Sequence, residues 1–375
     1  MMALNKAIDP LLPSGLGELL GELYPGSRLL DAKPLRPDSA GEANEAKGRT
    51  AKAAGYGLPV ALRMVDASGH EMNLVWRTAA ANDFGHDRRS DRAQELLLAF
   101  DSFGRIPAHV AALDVGAILQ SGRLASLHQA GEFYLLTAYA PGEPYAADLR
   151  RVARAGVAHA RDVDRARALA RYLVELHAIA GARPAAYRRA IRDLVGHGEG
   201  IFGVIDSYPA DVPAAPPARL AAIERRCVEW RWRLRARETR LRRTHGDFHP
   251  FTILFSGANE LTVLDASRGC EGDPADDVAA LALNYVFFAL EQRTGWRDGL
   301  GVLWRAFWAE YLEGSRDEEL CAVIAPFLAW RGLVMASPVF YPDLAGEARD
   351  RLLGLVEEAL DTDRFDPAAA ERMFS

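Results

Sequence analysis

The stretch "THGDFHPFTILFSGANELTVLDAS" (residues 244–267) packs His245, Asp247 and His249 into five positions directly before a short apolar run. A four-residue turn, "SGAN" (256–259), separates that run from a second apolar one, and the second run ends at Asp265. Two such runs around a short turn predict a β-hairpin. Antiparallel pairing returns the chain to its starting end, so the residue before one strand and the residue after the other become neighbours. Asp247 and Asp265 are then two carboxylates at one end of one hairpin. Carboxylates held so can act as metal ligand and as proton acceptor in phosphoryl transfer, where catalysis is mostly positioning and charge neutralisation. Each also has a plainer reading: Asp247 as a turn former, Asp265 as a cap on the chain leaving its strand. His245, Asp247 and His249 together could also form an HxDxH zinc site, although such sites need oriented ligands and supporting partners, and no further His/Cys cluster lies nearby in sequence.

Downstream, "GDPADD" (272–277) places Asp273 before Pro274, an N-cap followed by proline at the first helical position. The whole chain has 375 residues, 45 Lys+Arg against 51 Asp+Glu, and a formal net charge of −6. That balance argues against nucleic acid as the main partner. The arginine-rich stretch at 225–243 alternates with Trp230, Trp232 and Leu234 and is expected to be a solvated amphipathic helix. Cys227, Cys270 and Cys321 are widely spaced, which suggests neither a disulfide framework nor a zinc knuckle. The run "VAALALNYVFFAL" (278–290) is too short to span a bilayer and carries Asn284. "MMALNKAIDPLLPSG" (1–15) lacks the apolar segment and cleavage site of a signal peptide. A cytoplasmic protein with reduced thiols and no membrane partner is expected; its oligomeric state is not readable.

Two textures divide the chain. The first predicts strands mixed with one helix: a strand over "SRLLDAKPLR" (27–36), a hairpin over 58–79 turning at Ala67–Gly69, a helix over 87–103, and two more strands in 112–122 and 132–145. Beyond "APGEPY" (140–145) the pattern is almost wholly helical, interrupted only by the hairpin quoted above. Domains at 1–138 and 139–375 are expected, in an α+β chain with a β-rich N-terminal lobe and a mainly helical C-terminal lobe.

The composite of "HGDFHPFT" (245–252) and "LDASRGCEGDPADDVA" (264–279) resembles the aminoglycoside phosphotransferase and choline kinase family, whose fold is protein-kinase-like and whose motifs are HGDxHxxN and GDPxxDLA. The likeness runs from about residue 30 to 290. It implies ATP or GTP and Mg2+ as cofactors and a small-molecule hydroxyl as acceptor. It implies Asp247 as catalytic base, Asp265 as the magnesium ligand, His245 and His249 as braces of the loop, and Asp277 as hydrogen-bond partner of the loop backbone. It also implies a cation on the third strand near an acid on the next helix to hold the phosphates; Arg77 and Glu95 occupy those places. Lys52, in "TAKAAGYG" (50–57), stands where a phosphate-covering loop belongs. The segment around Ala138, Tyr139 and Ala140 corresponds to the adenine-binding connector, and His177 is expected as a packing residue. Glu271, Asp273 and Asp276 could attract a cationic acceptor, or could be helix-start acids favoured by the dipole.

One position departs from the pattern. Thr252 stands where the family has Asn, a second metal ligand. Its hydroxyl is also an oxygen donor but has less reach. The departure leaves three readings open: weak second-metal binding, a one-metal enzyme, or a nucleotide-binding pseudokinase with a regulatory role.

Overall fold

The computed structural model describes residues 12–35, 59–257, 260–266, 268–292 and 295–374. The chain is α+β and divides into two units, Met1–Thr137 and Ala138–Ser375. Among the described residues no helix is long and apolar enough to cross a membrane.

In the first unit, α1 (Leu16–Leu23) precedes β1 (Arg28–Pro34), β2 (Val60–Val65) and β3 (Glu71–Trp76), which form an antiparallel sheet in the order β1-β2-β3. Strand β2 alternates: Val60, Leu62 and Met64 are buried, whereas Ala61, Arg63 and Val65 are not. Side chains of a strand point to opposite faces in turn, so one face of β2 supplies the core. That face packs with Ala32 and with Leu16 and Leu20 of α1. The expected turn forms over Asp66–His70, where the Asp66 carboxylate accepts from the backbone N–H groups of Ser68 and His70 at 2.9 Å each. Helix α2 (Arg89–Phe103) starts with the Asp91 carboxylate accepting from the Arg88 N–H at 2.8 Å, yet none of its residues is buried. Among the described residues, strands β4 (Gly116–Ile118) and β5 (Leu124–Ser126) pair only with each other.

The strand expected over 132–145 is largely not formed. After β5 a turn, closed by the Ala130 N–H on Leu127 O, leads the chain away from its sheet, and residues 131–142 are irregular. Tyr134 is 93% exposed and Leu135 88%. An apolar run marks a tendency to be buried but does not supply an open strand edge to pair with. Only β6 (Glu143–Pro144) enters a ladder.

The second unit is built on helices: α3 (Tyr145–Ala155), α4 (Ala160–His177), α5 (Pro184–Gly196), α6 (Ile201–Asp206) and α7 (Pro217–Leu234). After β7 (Arg242–Arg243) come β8 (Ile253–Ser256), β9 (Glu260–Val263) and β10 (Glu271–Gly272). Then follow α8 (Pro274–Gln292), α9 (Leu300–Ser315), α10 (Leu320–Val323), α11 (Ala325–Ala336), α12 (Gly346–Asp361) and α13 (Ala369–Arg372). Helix α8 is apolar around its circumference and is buried from Pro274 to Leu290 except at Asp276. A helix without a polar face belongs at the centre, and α3, α9 and α11 pack on it while α4 packs on α9 and α12 on α11. Each large apolar side chain so buried contributes roughly 1.5–3 kcal/mol. The arginine-rich helix α7 stops at Leu234, and its buried stripe is Leu220, Ile223, Cys227, Trp230 and Leu234. Helix α3 ends at Gly156, whose φ of 71° is left-handed and whose N–H caps Val152 O.

Candidate active site

The hairpin read from the sequence is present. β8 pairs β9 with Ile253 opposite Val263 and Ser256 opposite Glu260, and β6 lies on the other edge of β8. Beyond the ladder, the Leu264 N–H donates to Thr252 O at 2.8 Å. The residue before Asp265 is therefore tied to the loop that carries Asp247. Asp265 itself leaves the strand with a left-handed φ of 59°. Its carboxylate is exposed and has no hydrogen bond or ion pair among the described residues. An unpaired carboxylate is a hard oxygen donor and fits a magnesium ion.

The loop from His245 to Thr252 is fixed from several sides. Asp277, in the first turn of α8 and fully buried, accepts from the His245 N–H at 2.7 Å and from the Gly246 N–H at 2.8 Å. His177 Nε2 lies 3.1 Å from the same carboxylate, and its Nδ1 lies 2.8 Å from the Tyr311 hydroxyl. Burial pushes the Tyr311 phenol well above its ordinary pKa, so it stays a donor. The Tyr311 hydroxyl and the Asp277 carboxylate hold the two ring nitrogens of His177 between them. His177 is thus a link in a buried chain rather than packing alone. Gly246 has a φ of +80°, and a Cβ there would lie 3.3 Å from Gly269 O and 3.5 Å from the Arg268 Cβ. Only glycine suits that conformation at that approach. Phe248 is fully buried and stacks on Tyr172 with ring centroids 5.6 Å apart, and Pro250 O accepts from the Ala146 N–H at the start of α3.

Thr252 is turned into this loop. Its hydroxyl lies 2.9 Å from Asp247 O and 3.0 Å from His249 O, and the residue is 7% exposed. The side chain expected as a metal ligand instead closes the loop, because a short hydroxyl reaches the carbonyls of its own turn. The zinc arrangement is also not formed: among the described residues no three His, Cys, Asp or Glu side chains converge as a metal site. His245 Nδ1 accepts from the Asp247 N–H at 3.3 Å, and its ring packs edge-on against Phe248. His249 Nδ1 accepts from the Phe251 N–H at 3.2 Å, while its Nε2 lies 3.5 Å from Asp247 Oδ2.

The Asp247 carboxylate has two arginine neighbours that the sequence reading missed. Arg331 Nη1 of α11 lies 2.6 Å from Oδ1, and Arg268 Nη1 lies 3.7 Å away. Burial alone would raise the pKa of this carboxyl, but His249, Arg331 and Arg268 outweigh it and hold the group well below the usual carboxylate range. A signal for Arg331 was there: it is the lone charge in "VIAPFLAWRGLVMA" (323–336), and a charge in a buried helix must find a partner.

The acidic patch expected to attract a cationic acceptor does not assemble. Asp273 is 1% exposed and takes a two-point ion pair from Arg240, with both N···O distances 2.9 Å, plus a bond from the Tyr187 hydroxyl. Its Oδ1 also caps α8 through the Ala275 N–H at 3.0 Å. Asp276 is paired with Arg331 at 3.1 Å. Glu271 lies on β10, its Oε1 3.4 Å from the Ala182 N–H. Asp273 and Asp276 are thus tied at the start of α8, and Glu271 to the chain between α4 and α5.

Ala138, Tyr139 and Ala140 are in irregular chain at the start of the second unit, with Tyr139 91% exposed. Arg77 and Glu95 belong to the first unit. Strand β3 ends at Trp76, so Arg77 is exposed and just past it. No ion pair joins it to Glu95 among the described residues; Glu95 pairs with His86 at 3.0 Å instead. Lys52 lies outside the described residues.

The sequence profile of the phosphotransferase enzyme family (APH) matches residues 72–314, well over half of the chain. No curated protein matches. Among solved structures, a glucosamine kinase is 20% identical with a TM-score of 0.41, covering 58% of this chain; this chain spans only 59% of that one. A glucosamine kinase in complex with glucosamine, ADP and inorganic phosphate is 17% identical with a TM-score of 0.42, over 92% of this chain and 98% of the other. A Plasmodium vivax ethanolamine kinase is 12% identical with a TM-score of 0.32, over 86% and 78%. The match spans the Asp247 loop, the Asp265 hairpin and the Asp277 brace alike: the chain belongs to the phosphotransferase enzyme family.

Proposed function

We propose that this protein moves the γ-phosphate of ATP or GTP to a hydroxyl of a small molecule. The observation that carries the reading is the joint placement of Asp247 and Asp265. The first is locked in a loop held by Asp277 and Arg331, and the second is delivered to that loop by the β8–β9 hairpin. Asp265 would hold the magnesium ion, which when bound neutralises phosphate charge. With the Thr252 hydroxyl spent inside the loop, a one-metal site fits this chain best. Arg77 would steady the triphosphate, with Glu95 on the neighbouring helix, and the backbone around Ala138–Ala140 would receive the base.

Asp247 acts chiefly by orientation. A carboxylate whose pKa is held low is a weak base. Phosphoryl transfer has a loose transition state that asks for little proton removal before bond making. Asp247 therefore accepts a hydrogen bond from the acceptor hydroxyl and aligns its oxygen with the γ-phosphorus. The new O–P bond forms as the bond to the leaving diphosphate breaks, and the hydroxyl proton passes late to Asp247 and then to water.

Calorimetric titration with ATP or GTP tests the site. Binding is expected to tighten at least tenfold with magnesium, and Asp265→Asn is expected to remove that gain while leaving metal-free binding unchanged. A magnesium effect of equal size in the variant would remove Asp265 from the metal site. Magnesium-dependent binding without any phosphate transfer would favour the pseudokinase.

A further inference from the structure

Asp247 is gripped from α11 as well as from its own loop. Arg331 is 6% exposed, and its guanidinium has three acceptors: Asp247 Oδ1 at 2.6 Å, Gly246 O at 3.0 Å and Asp276 Oδ1 at 3.1 Å. Two of these belong to the loop, one on its backbone and one on its side chain. One planar cation therefore fixes the Asp247 carboxylate relative to the peptide that carries it. The plane is itself set: the guanidinium carbon lies 3.9 Å from the Trp330 ring centroid, and the Trp330 indole N–H is anchored on Glu199 O at 2.9 Å. With Oδ1 taken by Arg331 and also approached by Arg268 at 3.7 Å, Oδ2 lies 3.5 Å from His249 Nε2.

We propose that Arg331 is a positioning residue for phosphate transfer, clamping Asp247 by Oδ1 so that Oδ2 is presented to the acceptor hydroxyl. The proposal rests on the phosphotransferase reading and adds a residue of the far C-terminal region, beyond the matched segment, to its machinery. A point charge would not do the same work. Lysine could keep Asp247 ionised, but only the fork of arginine binds carboxylate and backbone carbonyl at once while stacking on an indole. A displacement of the reacting group by about 1 Å can cost on the order of 100-fold in rate.

The test is steady-state transfer by the full-length protein, with kcat, nucleotide KM and the pH profile of kcat measured for wild type, Arg331→Met and Arg331→Lys. R331M is expected to lower kcat by about 100-fold with the nucleotide KM within twofold, and to move the acid limb of kcat upward, while His249 and Arg268 remain beside Asp247 and still oppose its protonation. R331K is expected to lose about tenfold in kcat while its acid limb stays low. Should R331M fail to fold, R331K decides alone: reduced kcat at unchanged KM supports the clamp, and wild-type kcat overturns it. Variants within threefold of wild type overturn it, as does a parallel loss of kcat, KM and melting temperature with an unmoved pH profile. If wild type itself transfers no phosphate to any acceptor, the functional reading fails and the clamp falls with it, an outcome distinct from normal turnover in the variants.

Discussion

At the scale of single residues, the ionisation of the site is asymmetric. Asp247 is held charged by His249, Arg331 and Arg268 against the effect of burial, whereas Asp276, sharing Arg331, is pushed by burial from 3.8 up to about 6, with Arg331 opposing and Asp277 adding to the rise. The raised value has a definite sign for stability. The folded state binds the Asp276 proton more tightly than the unfolded chain does, so this contribution is full below about 4 and is lost as pH rises through 6. Asp276→Asn cannot lose a proton and is free of that dependence. The melting temperature of the variant is therefore expected to gain on wild type as pH rises from 4 to 6, with the gap constant above. A gap that narrows over that interval would show that Arg331 dominates burial at Asp276. Residues like these are where sequence reading runs shortest. Asp247, Asp265 and Asp277 could be named because they sit in short motifs. Arg331 lies 84 positions from Asp247 in sequence and only folding brings it there. Thr252 was seen as a departure, but which way its hydroxyl turns depends on the local carbonyls of its loop.

At the scale of elements, the loop is held by a helix start. The first turn of α8 presents Asp277 to two backbone N–H groups of the loop, and α4 and α9 back it through His177 and Tyr311. Replacing Asp277 with alanine leaves those buried donors and the imidazole without their acceptor. Urea unfolding of Asp277→Ala is expected to show a loss of about 3 kcal/mol or more, and Tyr311→Phe a loss of about 1 kcal/mol. Equal, small effects would mean that water replaces the carboxylate and that the chain is not cooperative. The helical texture beyond residue 145 and the hairpins were legible because apolar spacing or turns repeat over many residues. The failures have local causes. The segment expected as a strand over 132–145 has an apolar run, yet among the described residues it joins no strand before Glu143. Helices α3, α5 and α6 carry mixed sequences whose buried stripes become visible only against their neighbours.

At the scale of the whole molecule, the chain is α+β, a class expected from the change of texture near residue 140, and its two units are Met1–Thr137 and Ala138–Ser375. Of the residues proposed for the nucleotide, Arg77 and Glu95 lie in the first unit and Asp265 in the second, with Asp247. The central claim is that Asp247 aligns a hydroxyl for attack on a nucleotide held through Asp265. Its most direct test is transfer of labelled γ-phosphate from ATP or GTP to a panel of amino sugars, neutral sugars and amino alcohols by wild type and by Asp247→Asn. Wild type is expected to label at least one acceptor, and D247N to lower kcat by about 1,000-fold while nucleotide KM stays within twofold. Labelling by D247N at the wild-type rate would contradict the account.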